Sequence, residues 1–293
     1  MKLIFGDNQF FGINHMSEEK AQALSERFSK FESIIKVIDH AYDAGIRDFM
    51  FTTHDRVSQI CDHFRRSPQR YRGLRLYPAM PYAHKYANLV ADKGLMGAII
   101  EVLRGDGSAS GALRAAVQAG RSALQQDPIT VMRLLVDAEL RQFRGLDVQA
   151  IFLQNIVTDL LFGLGARSAF EEFVNYARRQ HGIDAGFITM NLPALTAYLQ
   201  ANGIERPLVC ASFNRSGYLM NPSRESYEAV VRKGGQRFVA MSVFASGAVP
   251  PARAAEYVRG FENIDAVLFG ASSKQHIEET VQLLHEAPAM AMA

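Results

Sequence analysis

Residues 51–56, Phe-Thr-Thr-His-Asp-Arg, set two hydroxyls, an imidazole, a carboxylate and a guanidinium directly after an apolar run. A histidine beside a carboxylate can be tuned to move protons near neutral pH, and an adjacent cation can neutralise developing charge. His54, Asp55 and Arg56 are therefore candidate acid/base groups, with Thr53 beside them as a substrate contact. The same letters suit an ordinary helix start, with Asp55 as N-cap and His54 and Arg56 on a solvated rim. Asp7 and Asn8 follow a shorter apolar run; they offer either a catalytic carboxylate with a substrate-binding amide or a simple turn pair.

Further polar groups end other apolar runs: Tyr82 with His84 and Lys85, Gln154 with Asn155, Asn191, and Asn214. They could bind a polar substrate. The eighth run ends in Gly270-Ala271-Ser272-Ser273 and a helix start. Backbone amides there point outward with a partial positive charge, so the turn is a candidate phosphate site, assisted by Ser246 and Gly247 after the seventh run. A capped helix needs no more than the same residues. The histidines lack the spacing of a metal-ligand motif, and no metal site can be read.

These groups share one site only if the elements carry them to one place. Eight apolar runs cover 2–5, 48–53, 74–80, 148–154, 186–190, 207–212, 237–244 and 265–270. Amphipathic segments lie between them, including 31–45, 56–66, 168–180, 193–203 and 251–260, several of them closed by glycine. Strands apolar on both faces and separated by helices imply a buried parallel sheet. Eight such units in 293 residues predict a single-domain (β/α)8 barrel, a TIM barrel, whose chemistry sits at the C-terminal strand ends. The interval 83–147 is too long for one crossover helix and predicts extra helices around a mobile loop.

Composition narrows the function classes. The net charge of +2 comes from interspersed signs, not a basic block, which argues against nucleic acid as a partner. No stretch is long and apolar enough to suggest a signal segment or membrane span, and Cys61 and Cys210 are two isolated thiols. A cytoplasmic protein with a small-molecule substrate is expected, and a homo-oligomer is left open.

Several stretches resemble the aldo/keto reductases: "VIDHAYDAGIRDFMFTT" is similar to that family's first helix and second strand, and "GFITMNLPALTAYL" to its fifth strand. "PLVCASFN", "FVAMSVFASG" and "VLFGASSKQHIEET" resemble its sixth, seventh and eighth strands. The likeness spans nearly the whole chain and implies the same barrel. It also implies NADPH-dependent carbonyl reduction by a Tyr, Asp, Lys and His tetrad. Those positions fall near Asp55 or Arg56, Phe51 or Thr52, Pro78 or Ala79, and Gln154 respectively. The positions that hold the nicotinamide become Met190, Asn191, Cys210 and Met241, and two that hold adenosine become His276 and Thr280.

With the tetrad replaced, the sequence favours a non-redox enzyme without a cofactor. This would be a lyase or isomerase acting by acid/base catalysis on a small polar metabolite, phosphorylated or not, with Asp7, His54, Asp55 and Arg56 catalytic. Two alternatives stand beside it: a divergent NADPH-dependent aldo/keto reductase with a substitute general acid, and a catalytically silent metabolite-binding barrel.

Overall fold

A computed structural model describes residues 1–13, 17–81, 128–204 and 206–285. Its eight strands are β1 (Lys2–Phe5), β2 (Asp48–Thr52), β3 (Arg75–Met80), β4 (Ala150–Leu153), β5 (Asp184–Thr189), β6 (Leu208–Ser212), β7 (Arg237–Met241) and β8 (Ile264–Phe269). Each pairs in parallel with the next, and β8 closes on β1 through Leu3 opposite Val267. The chain is a (β/α)8 barrel. The described helices are α1 (Glu18–Arg27), α2 (Phe31–Asp43), α3 (Asp55–Arg66), α4 (Pro128–Leu140), α5 (Asn155–Gly163) and α6 (Arg167–His181). They continue with α7 (Leu192–Ala201), α8 (Arg224–Lys233), α9 (Pro251–Arg259) and α10 (Lys274–His285). No described helix is long and apolar enough to cross a membrane.

Alternation along the strands builds two cores. Odd positions on β1 and β2, such as Phe5, Phe49 and Phe51, face the helices; Phe5 meets Phe49 edge-on at 5.9 Å between ring centroids and Phe269 at 5.6 Å. The helices answer with apolar residues at helical spacing: α2 buries Ile34, Val37, Ile38 and Ala41, and α3 buries Val57, Ile60, Cys61 and Phe64. Ile4, Met50, Ala79, Phe152, Ile188, Cys210 and Val239 point the other way and fill the barrel. Gly186 is required there: a Cβ on it would lie 2.4 Å from the Phe152 ring. Gly186→Ala is expected to cost about 1–3 kcal/mol by overpacking, read as a lower urea midpoint at unchanged slope. An unchanged midpoint would show that the ring moves aside freely.

At the N-terminal end the barrel is floored by charge. Asp48, 3% exposed, accepts from Arg75 Nε at 2.9 Å and Nη2 at 2.6 Å and from the Tyr77 hydroxyl at 2.7 Å, with Lys2 Nζ 3.7 Å away. Burial and the Asp48 charge push the Tyr77 phenol well above its usual range. Asp184 pairs with Arg237 at 2.7 Å on the same level.

Some expected boundaries shift. The seventh strand ends at Met241 rather than 244, because Ser242 has φ 54° and turns the chain. The fourth is confined to 150–153, with Val148 keeping one bridge to Leu76. Of the predicted insertion between β3 and β4, α4 and a 3-10 turn at Arg141–Phe143 are observed. The Gly/Ser-rich 104–113 lies outside the described residues.

Candidate functional site

The C-terminal mouth carries the polar groups that the strand pattern sends there. Alternation continues the inward rows of β2, β4, β5, β6 and β7 to Thr52, Gln154, Met190, Ser212 and Met241. On one side Asp7, leaving β1, lies against the end of β2: its Oδ2 accepts from the Thr52 amide at 2.7 Å and the Thr52 hydroxyl at 2.8 Å. Asp7 is 4% exposed. Burial raises its pKa to about 6, and the two Thr52 donors only partly offset that effect. A carboxyl poised there can hold or release a proton close to neutrality.

His54 follows two residues after Thr52. It caps α3, accepting the Arg56 amide on Nδ1 at 3.0 Å, so the neutral ring carries its proton on Nε2. Phe11 stacks on the imidazole at 4.1 Å and 11°. The cap expected at Asp55 is thus supplied by His54, because its imidazole nitrogen reaches the N–H two residues on. Asp55 is the exposed first residue of α3. The Arg56 guanidinium donates to the Phe28 and Ser29 carbonyls at 2.8 and 3.1 Å, tying α3 to the end of α1.

The amides expected to bind substrate are largely engaged in the scaffold. Asn191 caps α7, its Oδ1 accepting from the Ala194 amide at 3.2 Å. Asn214, fully buried, donates to the Tyr218 carbonyl and accepts from the Tyr218 amide, each at 2.9 Å, which folds the loop after β6. Gln154 donates to the Ala79 carbonyl at 3.3 Å. Asn155 opens α5 half-buried, Asn8 is exposed on the turn Asn8–Phe11, and Thr53 is buried after β2. Tyr82, His84 and Lys85 lie outside the described residues. Asp159 on α5 repeats the Asp7 arrangement across the mouth, accepting from the Thr189 hydroxyl at 2.5 Å and the Met190 amide at 2.9 Å.

The turn after β8 is occupied as a helix start. Ser273 Oγ accepts the His276 amide at 3.3 Å as a cap does, and the Ser272 carbonyl accepts from Arg27 at 2.6 Å. Gln9 lies over Gly270, where a Cβ would come 2.3 Å from its Oε1, with Ala271 half-buried beside it. After β7, Ser242, Ala245, Ser246 and Gly247 all adopt left-handed φ values of 54°, 48°, 54° and 92°. Three of these are not glycine, a conformation held only where surrounding contacts enforce it.

Ser212 stands out from the candidates above. It is 0% exposed and its hydroxyl has no hydrogen-bond partner among the described residues. Register places it opposite Met241 on β7; on its other side the β5 pairing ends at Thr189 opposite Ala211, one residue before Met190. Its only trace in the sequence is a hydroxyl closing the apolar run 207–212.

No family model matches the chain, and neither does any curated protein sequence. Solved structures do. An aldo-keto reductase from Pseudomonas aeruginosa is 12% identical, with 96% of this chain and 88% of that one covered, at a TM-score of 0.61. A 2,5-diketo-D-gluconic acid reductase B is 12% identical over 98% and 83% of the two chains at 0.58. An aldo/keto reductase from Brucella melitensis is 11% identical over 88% and 86% at 0.50. Eight parallel strands, the closing β8 to β1 pairing and whole-chain superposition together give this chain the barrel fold of the aldo/keto reductases.

Proposed function

We propose that the chain is an NADPH-dependent oxidoreductase that reduces a carbonyl at the barrel mouth, with Asp7 in place of the family's tyrosine acid. The observation that carries this reading is the Ser212 hydroxyl, buried opposite Met241 with no hydrogen-bond partner among the described residues. An unsatisfied buried hydroxyl costs about 1–3 kcal/mol, a cost that a ligand amide removes on binding. Methionine thioethers suit contact with an aromatic ring. Met190, Ser212 and Met241, at the ends of three adjacent strands, would hold a nicotinamide, the thioethers offering apolar contact to its ring and the hydroxyl a partner for its carboxamide. The names of the structural neighbours, reductases among them, agree with redox chemistry. They lend no support to the lyase or isomerase chemistry expected from the sequence.

A nicotinamide held there would supply a hydride for the carbonyl carbon. The chain supplies the proton. Asp7, protonated below about pH 6, gives it to the carbonyl oxygen. Thr52 holds Asp7 in place through both of its donors.

The test is NADPH consumption with a panel of aromatic aldehydes. Aldehyde-dependent loss of the reduced nicotinamide signal is expected, fastest at mildly acid pH. Saturable aldehyde or NADPH binding without turnover would instead favour the silent metabolite-binding barrel.

A further inference from the structure

The loops after β6 and β7 enclose an open recess of about 410 Å3, lined by Arg215, Ser216, Ala248, Val249, Pro250 and Arg253. Both loops leave the C-terminal strand ends, so the recess opens on the same face as the mouth. Its volume falls in the range of small-molecule sites, about 300–1,000 Å3, well beyond the needs of one inorganic ion. Its described lining is basic. Arg253 pairs with Glu256 at 2.9 Å, and the hydrogen bond and charge of Arg253, with the charges of Arg215 and Arg259, hold the Glu256 carboxyl below its usual range. The lining itself holds two guanidiniums, Arg215 and Arg253, and no carboxylate.

The walls are fixed before any ligand arrives. The Arg215 carbonyl accepts from Arg224 at 3.0 Å, and Ser216 Oγ donates to the buried Asn214 at 2.9 Å. Opposite, Val249 is buried against Ala245 and Ala254, and its amide donates to the Phe244 carbonyl at 3.1 Å.

We propose that this recess binds the phosphate group of a phosphorylated small molecule, gripped by Arg215 and Arg253, with Ala248, Val249 and Pro250 covering the organic portion. A guanidinium fork matches phosphate oxygens two at a time, which a lysine cannot do. The inference rests on the NADPH reading only for which molecule carries the phosphate: the cofactor or the substrate.

The experiment is calorimetric titration with inorganic pyrophosphate. Saturable binding by the wild type is expected, weakened at least roughly tenfold in Arg215→Ala/Arg253→Ala, since each charge-assisted bond is worth about that factor or more. The exposed Arg179→Ala, a control for loss of charge, should bind as the wild type does, and Arg215→Lys/Arg253→Lys should recover part of the affinity. Thermal unfolding shows whether the variants are folded. Displacement of pyrophosphate by NADPH assigns the phosphate to the cofactor. Pyrophosphate binding that NADPH does not displace supports the recess and assigns the phosphate to the substrate; if NADPH fails to bind at all, the redox reading falls while the recess stands. Absence of wild-type binding, or equal binding by wild type and the folded alanine pair, overturns the proposal.

Discussion

Asp7→Asn is expected to lower kcat for carbonyl reduction by about 10²–10⁴-fold, the usual contribution of a positioned general acid. An amide oxygen can still accept both Thr52 donors, so the geometry at the end of β2 survives while the transferable proton is lost. The pH profile separates this role from a structural one. Wild-type kcat should fall as pH rises through about 6, where the Asp7 carboxyl empties, and the residual activity of the variant should lose that limb.

Stability should move the other way. Burial raises the Asp7 pKa from 3.8 to about 6, so between those values the folded state binds the proton that the unfolded chain has released. Folding stability contributed by this site is greatest at low pH and declines as pH rises from about 4 to 6. Above 6 it is lower by about 3 kcal/mol. The neutral amide introduced by Asp7→Asn carries no such penalty, so the variant should unfold several degrees higher at pH 8 and gain little at pH 4. A variant both inactive and less stable at pH 8 would mean that the carboxylate supports the fold, and the acid role would be wrong.

The second large effect lies at the opposite end of the barrel. Asp48→Ala removes the acceptor shared by Arg75, Tyr77 and Lys2 and leaves the Tyr77 O–H without its acceptor in the floor, while Lys2 Nζ still donates to the phenol oxygen at 3.1 Å. Breaking a buried ion pair by removing one partner commonly costs 3–5 kcal/mol. Arg75 and Lys2 are 40% and 46% exposed and can rehydrate, which brings the expected loss to about 2–3 kcal/mol. Urea unfolding measures it. A loss below about 0.5 kcal/mol would show that water replaces Asp48 freely and that the floor is not closed.

The barrel was legible because strands buried on both faces read as unbroken apolar runs, and all eight form within a few residues of their expected bounds. The errors fall where a single backbone angle decides, as at Ser242. The site was legible by place more than by role. Polar residues at strand ends mark the mouth, yet whether Asn191 or Asn214 faces a ligand depends on local capping bonds that composition does not reveal. Asp7 finds Thr52 across 45 residues, a contact that exists only once β1 and β2 are in register. Ser212 looks like any serine until the fold buries it with its hydroxyl unpartnered among the described residues.

The most direct measurement is titration of NADPH, followed by its own fluorescence, with wild type and Ser212→Ala. A saturable change is expected with the wild type and a dissociation constant raised roughly tenfold in the variant, because the carboxamide loses its hydroxyl partner. A wild type whose signal never saturates, or a variant that binds NADPH as tightly as the wild type, would contradict a nicotinamide seated on Met190, Ser212 and Met241.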